Sequence, residues 1–121
     1  MAETFLTLRD VVVRYGATTA LDIPCLVINR GEVLAVVGAN GAGKSTLLRV
    51  MGLLQAVDRG IVEFPGLTAL SDDPLSMRRR IATVFQAPLL INDSVYRNVA
   101  LGLRLRGVDQ AEIERRVMPW L

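Results

Sequence analysis

Apolar and polar positions alternate in short runs through the first third of the chain. Phe5 to Leu8 and Val11 to Tyr15 are apolar, β-branched runs, broken at Arg9-Asp10 and closed by Gly16, which predicts two short strands. Leu26 to Asn29 is a third candidate, ended by the turn at Arg30-Gly31. Val33 to Val37 is apolar at every position, the pattern of a strand buried on both faces of a parallel sheet. It leads directly into a glycine-rich loop. From Ser45 to Leu54 the apolar positions Leu47, Leu48, Met51 and Leu54 fall at helical spacing, with Gly52 a small local cost.

Shorter elements follow. Asp58-Arg59-Gly60 reads as a turn, Ile61 to Phe64 as a strand, and Ile81 to Phe85 as another, stopped by Gln86-Ala87-Pro88. Asp73-Pro74 pairs an N-cap with proline at the first helical position, opening a helix through about Arg79. Asn92, Asp93 and Ser94 offer a cap for a helix from Val95 to Leu105. Asp109 and Glu112 resemble a capping box for a last helix, about Gln110 to Met118, ending before Pro119. No repeat or low-complexity segment interrupts this order. The predicted class is α/β.

Composition narrows the functional field. The chain has 121 residues, 51% of them apolar and 21% charged, with a formal net charge of +2. That is a small globular domain near the low end of what buries its own core. The charge is too small to announce a nucleic-acid partner. Met77-Arg78-Arg79-Arg80 reads as a solvated helix face. The single cysteine, Cys25, cannot form an intramolecular disulfide and, set in an apolar run, reads as a buried structural thiol in a reducing compartment. No stretch approaches the 18 or so apolar residues of a membrane span, and the start lacks a secretory pattern. The expectation is a cytoplasmic protein that meets a membrane only through a partner.

Of the fourteen Lys and Arg residues only Lys44 is a lysine. Its position supplies a reason. Gly38-Ala39-Asn40-Gly41-Ala42-Gly43-Lys44-Ser45 fits the phosphate-binding pattern G-x-x-x-x-G-K-[ST] at every fixed position. Glycines at 38, 41 and 43 permit positive φ and leave room for consecutive N–H groups to face phosphate oxygens. A helix starting near Lys44 adds the positive end of its dipole. The compact ammonium of Lys44 reaches the β- and γ-phosphates where a planar guanidinium fits less well. Ser45 offers its hydroxyl to Mg²⁺, and Thr46 is a secondary phosphate contact. A chance match to the fixed positions arises in roughly a few chains of this length per thousand, and the apolar run before and helix after lower that further.

Beyond the loop, the residues resemble the nucleotide-binding subunits of ABC transporters over essentially the whole chain. The version Gly38-Ala-Asn-Gly-Ala-Gly-Lys-Ser-Thr-Leu-Leu is close to that family's own. Leu8 to Gly16 looks like the opening strands, and Tyr15 matches the aromatic that stacks on adenine. Arg79 to Gln86 resembles the strand leading to the Q-loop, which implies that Gln86 contacts Mg²⁺ or the attacking water. Ser94 to Gly107 is similar to the import branch, where the stretch 87–107 meets the membrane permease. Pro88-Leu89-Leu90 with Ser94-Val95-Tyr96 leans toward importers of oxyanions such as tungstate or molybdate, although sugar, polyamine and iron importers look similar here.

The resemblance thus implies a P-loop NTPase fold of the ABC type in part: N-terminal antiparallel strands, a strand–loop–helix core over 1–86 and the start of a helical subdomain over 87–121. It implies ATP and Mg²⁺ as ligands, held by Tyr15, Gly38, Asn40, Gly41, Ala42, Gly43, Lys44, Ser45, Thr46 and Gln86, with Ser45 and Gln86 at the metal. It implies a permease and a second nucleotide-binding subunit as partners, and a place on the inner face of the cell membrane. The family's Leu-Ser-Gly-Gly-Gln signature, its apolar strand ending in Asp-Glu and its switch His are not among these residues, and the chain has no His. The expectation is therefore nucleotide binding, with hydrolysis near background from these residues alone. A stand-alone module competing for the permease is the alternative.

Overall fold

The computed structural model describes residues 2–65 and 73–121. The chain divides into two compact units, Met1–Thr83 and Val84–Leu121.

In the first unit, strands β1 (Thr4–Tyr15) and β2 (Thr18–Asn29) form a long antiparallel hairpin, and β3 (Arg59–Glu63) pairs antiparallel with the other edge of β1. The sheet order is β2-β1-β3. The two short runs predicted for the N-terminus are one strand. They are joined through Asp10, whose φ of 49° is unusual for a residue with a side chain. This irregularity has a consequence for packing. The β1 residues in the core cluster fall on even positions before it, Leu6 and Leu8, and on odd positions after it, Val11 and Val13, while Val12 is buried outside that cluster. A bulge that shifts the phase by one residue keeps the same face of β1 on the core.

The third predicted strand likewise extends back to Thr18. Pro24 lies between Ile23, opposite Val11, and Cys25, opposite Arg9. It sits on a sheet edge across from the bulge, where a missing N–H breaks no inner ladder. The reading of Cys25 is also corrected: the thiol is exposed, on the sheet face it shares with its exposed cross-strand partner Arg9.

Helix α1 (Lys44–Met51) lays Leu47 and Val50 on this sheet, joined by Leu21, Phe64 and Met77 in one cluster. Each such side chain contributes about 1.5–3 kcal/mol when buried. Phe5 and Phe64 meet edge to face at 5.7 Å. Met77 belongs to α2 (Pro74–Arg78), whose cap is as predicted: the Asp73 carboxylate accepts from the amides of Leu75 and Ser76. Met77 points inward while Arg78, Arg79 and Arg80 are exposed, the solvated face expected of that run.

Two predicted strands do not form. The segments 33–37 and 81–85 belong to no ladder, and Val33, Val37 and Val84 are 95%, 91% and 95% exposed. An all-apolar strand is buried on both faces only where neighbouring strands flank it. Among the described residues none does.

In the second unit α3 (Val95–Leu105) and α4 (Gln110–Val117) enclose Ala100, Ile113 and Val117, and a single 3₁₀ turn (Met118–Trp120) follows. Ser94 caps α3 through the amide of Arg97. Asn98 ties the preceding loop to the helix, accepting from the amide of Ile91 and donating to the carbonyls of Ile91, Asp93 and Ser94. Asp109 caps α4 through the amide of Glu112. Only half of the capping box is made, because the Glu112 carboxylate turns to Arg115 and Arg116.

Two predictions follow from this packing. Gly60 has φ 94°, and a Cβ there would lie 2.4 Å from the carbonyl oxygen of Asp10. Gly60→Ala should therefore destabilise the first unit by about 2 kcal/mol or more, read from urea unfolding. The second concerns pH. Hydrogen bonds from Arg115 and Arg116 lower the Glu112 pKa from 4.5 to about 2. A carboxylate held low in the fold stabilises it fully above its ordinary value and loses that stabilisation as pH falls toward 2. The helicity of α4, followed by far-UV circular dichroism, should decline across that window, and Glu112→Gln should remove this component.

Candidate functional site

The glycine-rich loop 38–45 lies in the first unit and turns directly into α1. Gly41 and Gly43 adopt φ of 82° and 98°, the conformation that glycine reaches without strain. Gly38 does not need positive φ. Its requirement is space, since a Cβ there would stand 3.3 Å from the Cβ of Ala42. The amide of Ala42 donates to the carbonyl of Ala39 at 3.1 Å and closes the turn.

Gly43 is also where the loop meets the sheet. A Cβ on it would fall 2.5 Å from the carbonyl oxygen of Ala20 on β2. No side chain larger than hydrogen fits between the loop and the hairpin.

The first bond inside α1 runs from the amide of Leu47 to the carbonyl of Gly43, at 2.8 Å, and no side chain caps the helix. The amides of Lys44, Ser45 and Thr46 precede that bond. They are the orphan donors of a helix N-terminus, carrying its positive dipole end. Lys44 folds over the loop, with Nζ 2.6 Å from the carbonyl oxygens of both Gly38 and Ala39. An ammonium has three N–H groups, so one remains for an outside acceptor. Ser45 is exposed at the mouth, whereas Thr46 is buried and turned toward the core.

This constellation can hold an anion. It offers backbone donors, a helix dipole and the Lys44 ammonium, with glycines where a side chain would intrude. A hard cation bound alongside would take Ser45 Oγ. Among the described residues no group of three His, Cys, Asp or Glu side chains could cage a metal ion, so such a cation would need oxygen ligands from the anion itself.

Tyr15 ends β1 half-exposed, and its partner across the hairpin is Thr18. Thr18 is two residues, about 7 Å along the strand, from the Ala20 carbonyl that Gly43 approaches. The structure thus brings Tyr15 to the end of the hairpin on which the loop rests. Gln86 lies exposed on a bend in the second unit.

Two residues near this site escape sequence reasoning. Gln55, after α1, accepts a 3.1 Å hydrogen bond from the hydroxyl of Tyr15. Asp58 accepts from the amide of Arg14 at 2.7 Å, while its own amide donates to the carbonyl of Val12. Gln55 shows no pattern in the sequence and Asp58 only that of a turn, because both act across a fold that brings residues some forty positions apart into contact.

Substitution separates the two glycine requirements. Gly41→Ala, where a Cβ meets nothing within 4 Å, should lose only the backbone term of about 1 kcal/mol. Gly43→Ala adds the collision with Ala20 and should lose about 2–3 kcal/mol, measured by urea unfolding of each variant.

Residues 21–120 match the family model described as ABC transporter. The methionine import ATP-binding protein MetN of Rhizobium johnstonii is 41% identical over 119 residues, covering 95% of this chain and 33% of its own length. The tungstate uptake system ATP-binding protein TupC of Peptoclostridium acidaminophilum is 35% identical over 113 residues, covering 93% and 50%. Among solved structures, an ATP binding subunit of an ABC transporter superposes with a TM-score of 0.74 at 33% identity, over 96% of this chain and 48% of its own. Clostridium perfringens cbiO1, part of the ABC transporter complex cbiONQ, superposes with a TM-score of 0.73 at 29% identity, over 94% and 47%. The chain spans about a third of the length of the methionine relatives and half of the tungstate relative.

Proposed function

This chain belongs to the ABC transporter family as a stretch of its ATP-binding subunit, and we propose that it holds ATP and Mg²⁺ at the loop 38–45 on behalf of an importer. The observation that carries the reading is the placement of Lys44: its ammonium bridges two loop carbonyls beside the uncapped start of α1. Phosphate oxygens are the acceptors that suit such a set of donors.

Each residue then has a task. The amides of Gly41 and of Gly43 to Thr46 orient the β-phosphate, and Lys44 exchanges its loop carbonyls for β- and γ-phosphate oxygens. Gly38, Asn40 and Ala42 shape the backbone. Ser45 Oγ would hold Mg²⁺, which would neutralise charge on the phosphates, and the family resemblance assigns Gln86 to the same metal. Tyr15 offers its ring face to adenine, a contact worth about 0.5–1.5 kcal/mol. The division of labour follows the sequence reading, 1–86 for nucleotide and 87–121 for the start of the helical part. No apolar run after Gly43 ends in Asp-Glu, so the role assigned to these residues is binding, and the carboxylate that would polarise water is not assigned to any of them.

Import is supported by the relatives, which are named for methionine import and for tungstate uptake. That pair leaves the oxyanion reading as one of two substrate classes. A permease contact over 87–107 is supported by the exposure of Leu89, Leu90, Val95 and Leu105, apolar side chains of the kind that mark a docking surface. No helix among the described residues is long and apolar enough to cross a membrane, which suits a subunit reaching the inner face of the membrane through that partner and pairing with a second nucleotide-binding subunit. The relatives matched are themselves transport ATP-binding proteins, which favours this reading over a stand-alone competitor.

Titration of a fluorescent ATP analogue tests the site. Lys44→Ala should weaken binding by about 10- to 100-fold, the worth of a charge-assisted contact. Equal affinity for wild type and variant would remove the loop from the assignment.

A further inference from the structure

Tyr15 is fixed at two points by one loop. Its hydroxyl donates to Gln55 Oε1 at 3.1 Å, and Gln55 in turn donates through Nε2 to the carbonyl of Ala56 at 3.2 Å. One residue before it, the amide of Arg14 donates to Asp58 Oδ2 at 2.7 Å, and the Asp58 amide returns a 2.8 Å bond to Val12. Residues 55–58 are therefore sewn along the tail of β1. They also follow α1 closely: the helix ends at Met51, and the amides of Leu53 and Leu54 close its last turn on Val50 and Arg49. The same helix begins at the phosphate loop. Its two ends carry the phosphate cradle and the clamp on the aromatic ring.

A half-exposed tyrosine at a strand end would otherwise sample several rotamers. The bond to Gln55 selects one. Gln55 does not touch the ligand in this arrangement; it acts through Tyr15.

We propose that Gln55 is a positioning residue for the base: by holding the Tyr15 hydroxyl it fixes the ring as a stacking platform in register with the phosphate loop. The proposal rests on the assignment of Tyr15 to adenine made above. It makes base recognition and phosphate recognition parts of one rigid piece, with Asp58 securing the backbone and Gln55 the ring.

The test compares ATP with inorganic tripolyphosphate, which has the phosphates and lacks the base, as competitors of a fluorescent ATP analogue on the full chain. Gln55→Ala and Tyr15→Phe should each weaken ATP by about threefold, the worth of one exposed neutral hydrogen bond, and leave tripolyphosphate unchanged. The double variant should lose no more than either single one. Gln55→Glu, which keeps an acceptor for the hydroxyl, should restore ATP affinity.

Other outcomes overturn it. Equal losses for ATP and tripolyphosphate would mean that Gln55 merely supports the loop. If Gln55→Ala leaves ATP binding intact while Tyr15→Ala weakens it, the positioning role falls and the base assignment stands. If Tyr15→Ala also spares ATP, the base assignment fails and takes the positioning role with it.

Discussion

Helix α1 rests against the β1–β2 hairpin with no space between Gly43 and the carbonyl of Ala20, and the rest of the site is arranged around that contact. The loop cannot move closer to the sheet because backbone atoms already touch. It cannot move away without lifting Leu47 and Val50 from the cluster they share with Leu8, Val11 and Val13. Apolar burial supplies the force and backbone sterics set the distance. Within those limits the chain must bend sharply at Gly43, and the bend leaves the first-turn amides of α1 facing outward with no partner of their own. A ligand site arises because the packing that makes the helix stable leaves its N-terminus unsatisfied.

Much of this was legible in the sequence, for local reasons. The loop pattern specifies its own backbone, since glycines at 41 and 43 are needed for the φ they adopt. Asp73, Ser94 and Asp109 announced their helices, because a cap bonds to amides only two or three residues away. What failed was information carried by distant partners. Residues 33–37 and 81–85 have strand composition but no flanking strand among the described residues, so pattern predicted a ladder that is not made. Cys25 lies in an apolar run, yet it sits on the sheet face opposite the core beside exposed Arg9, which no local window reports. The phase shift at Asp10 split one strand into two apparent ones. Gln55 and Asp58 carried no signal of these contacts because their partners lie about forty residues back.

The comparisons and the geometry answer different questions. The ABC transporter model over residues 21–120 establishes the family, and relatives with 41% and 35% identity are named for different cargoes. That division is physically reasonable, because the loop 38–45 is a candidate site for phosphate and nothing ties its groups to a transported cargo. Cargo must be read elsewhere in an importer, through groups that touch it. The loop is accordingly uninformative about the oxyanion leaning.

The arrangement of α1 also bears on how a binding event could be felt beyond the site. Lys44 now spends two of its N–H groups on the carbonyls of Gly38 and Ala39. Phosphate would draw the ammonium off those carbonyls, and the loop would exchange an internal contact for an external one. The helix that begins at Lys44 is short, eight residues, and its far end is held to β1 through Gln55 and Asp58. A short, well-packed helix pinned at both ends transmits displacement instead of absorbing it. Any shift at the phosphate end must therefore be met by the core, by the clamp on Tyr15, or by the exposed segments that carry no ladder. The core is close-packed and the clamp is bonded at two points, so among the described residues of the first unit the unpaired segment 33–37 has the least to lose by moving.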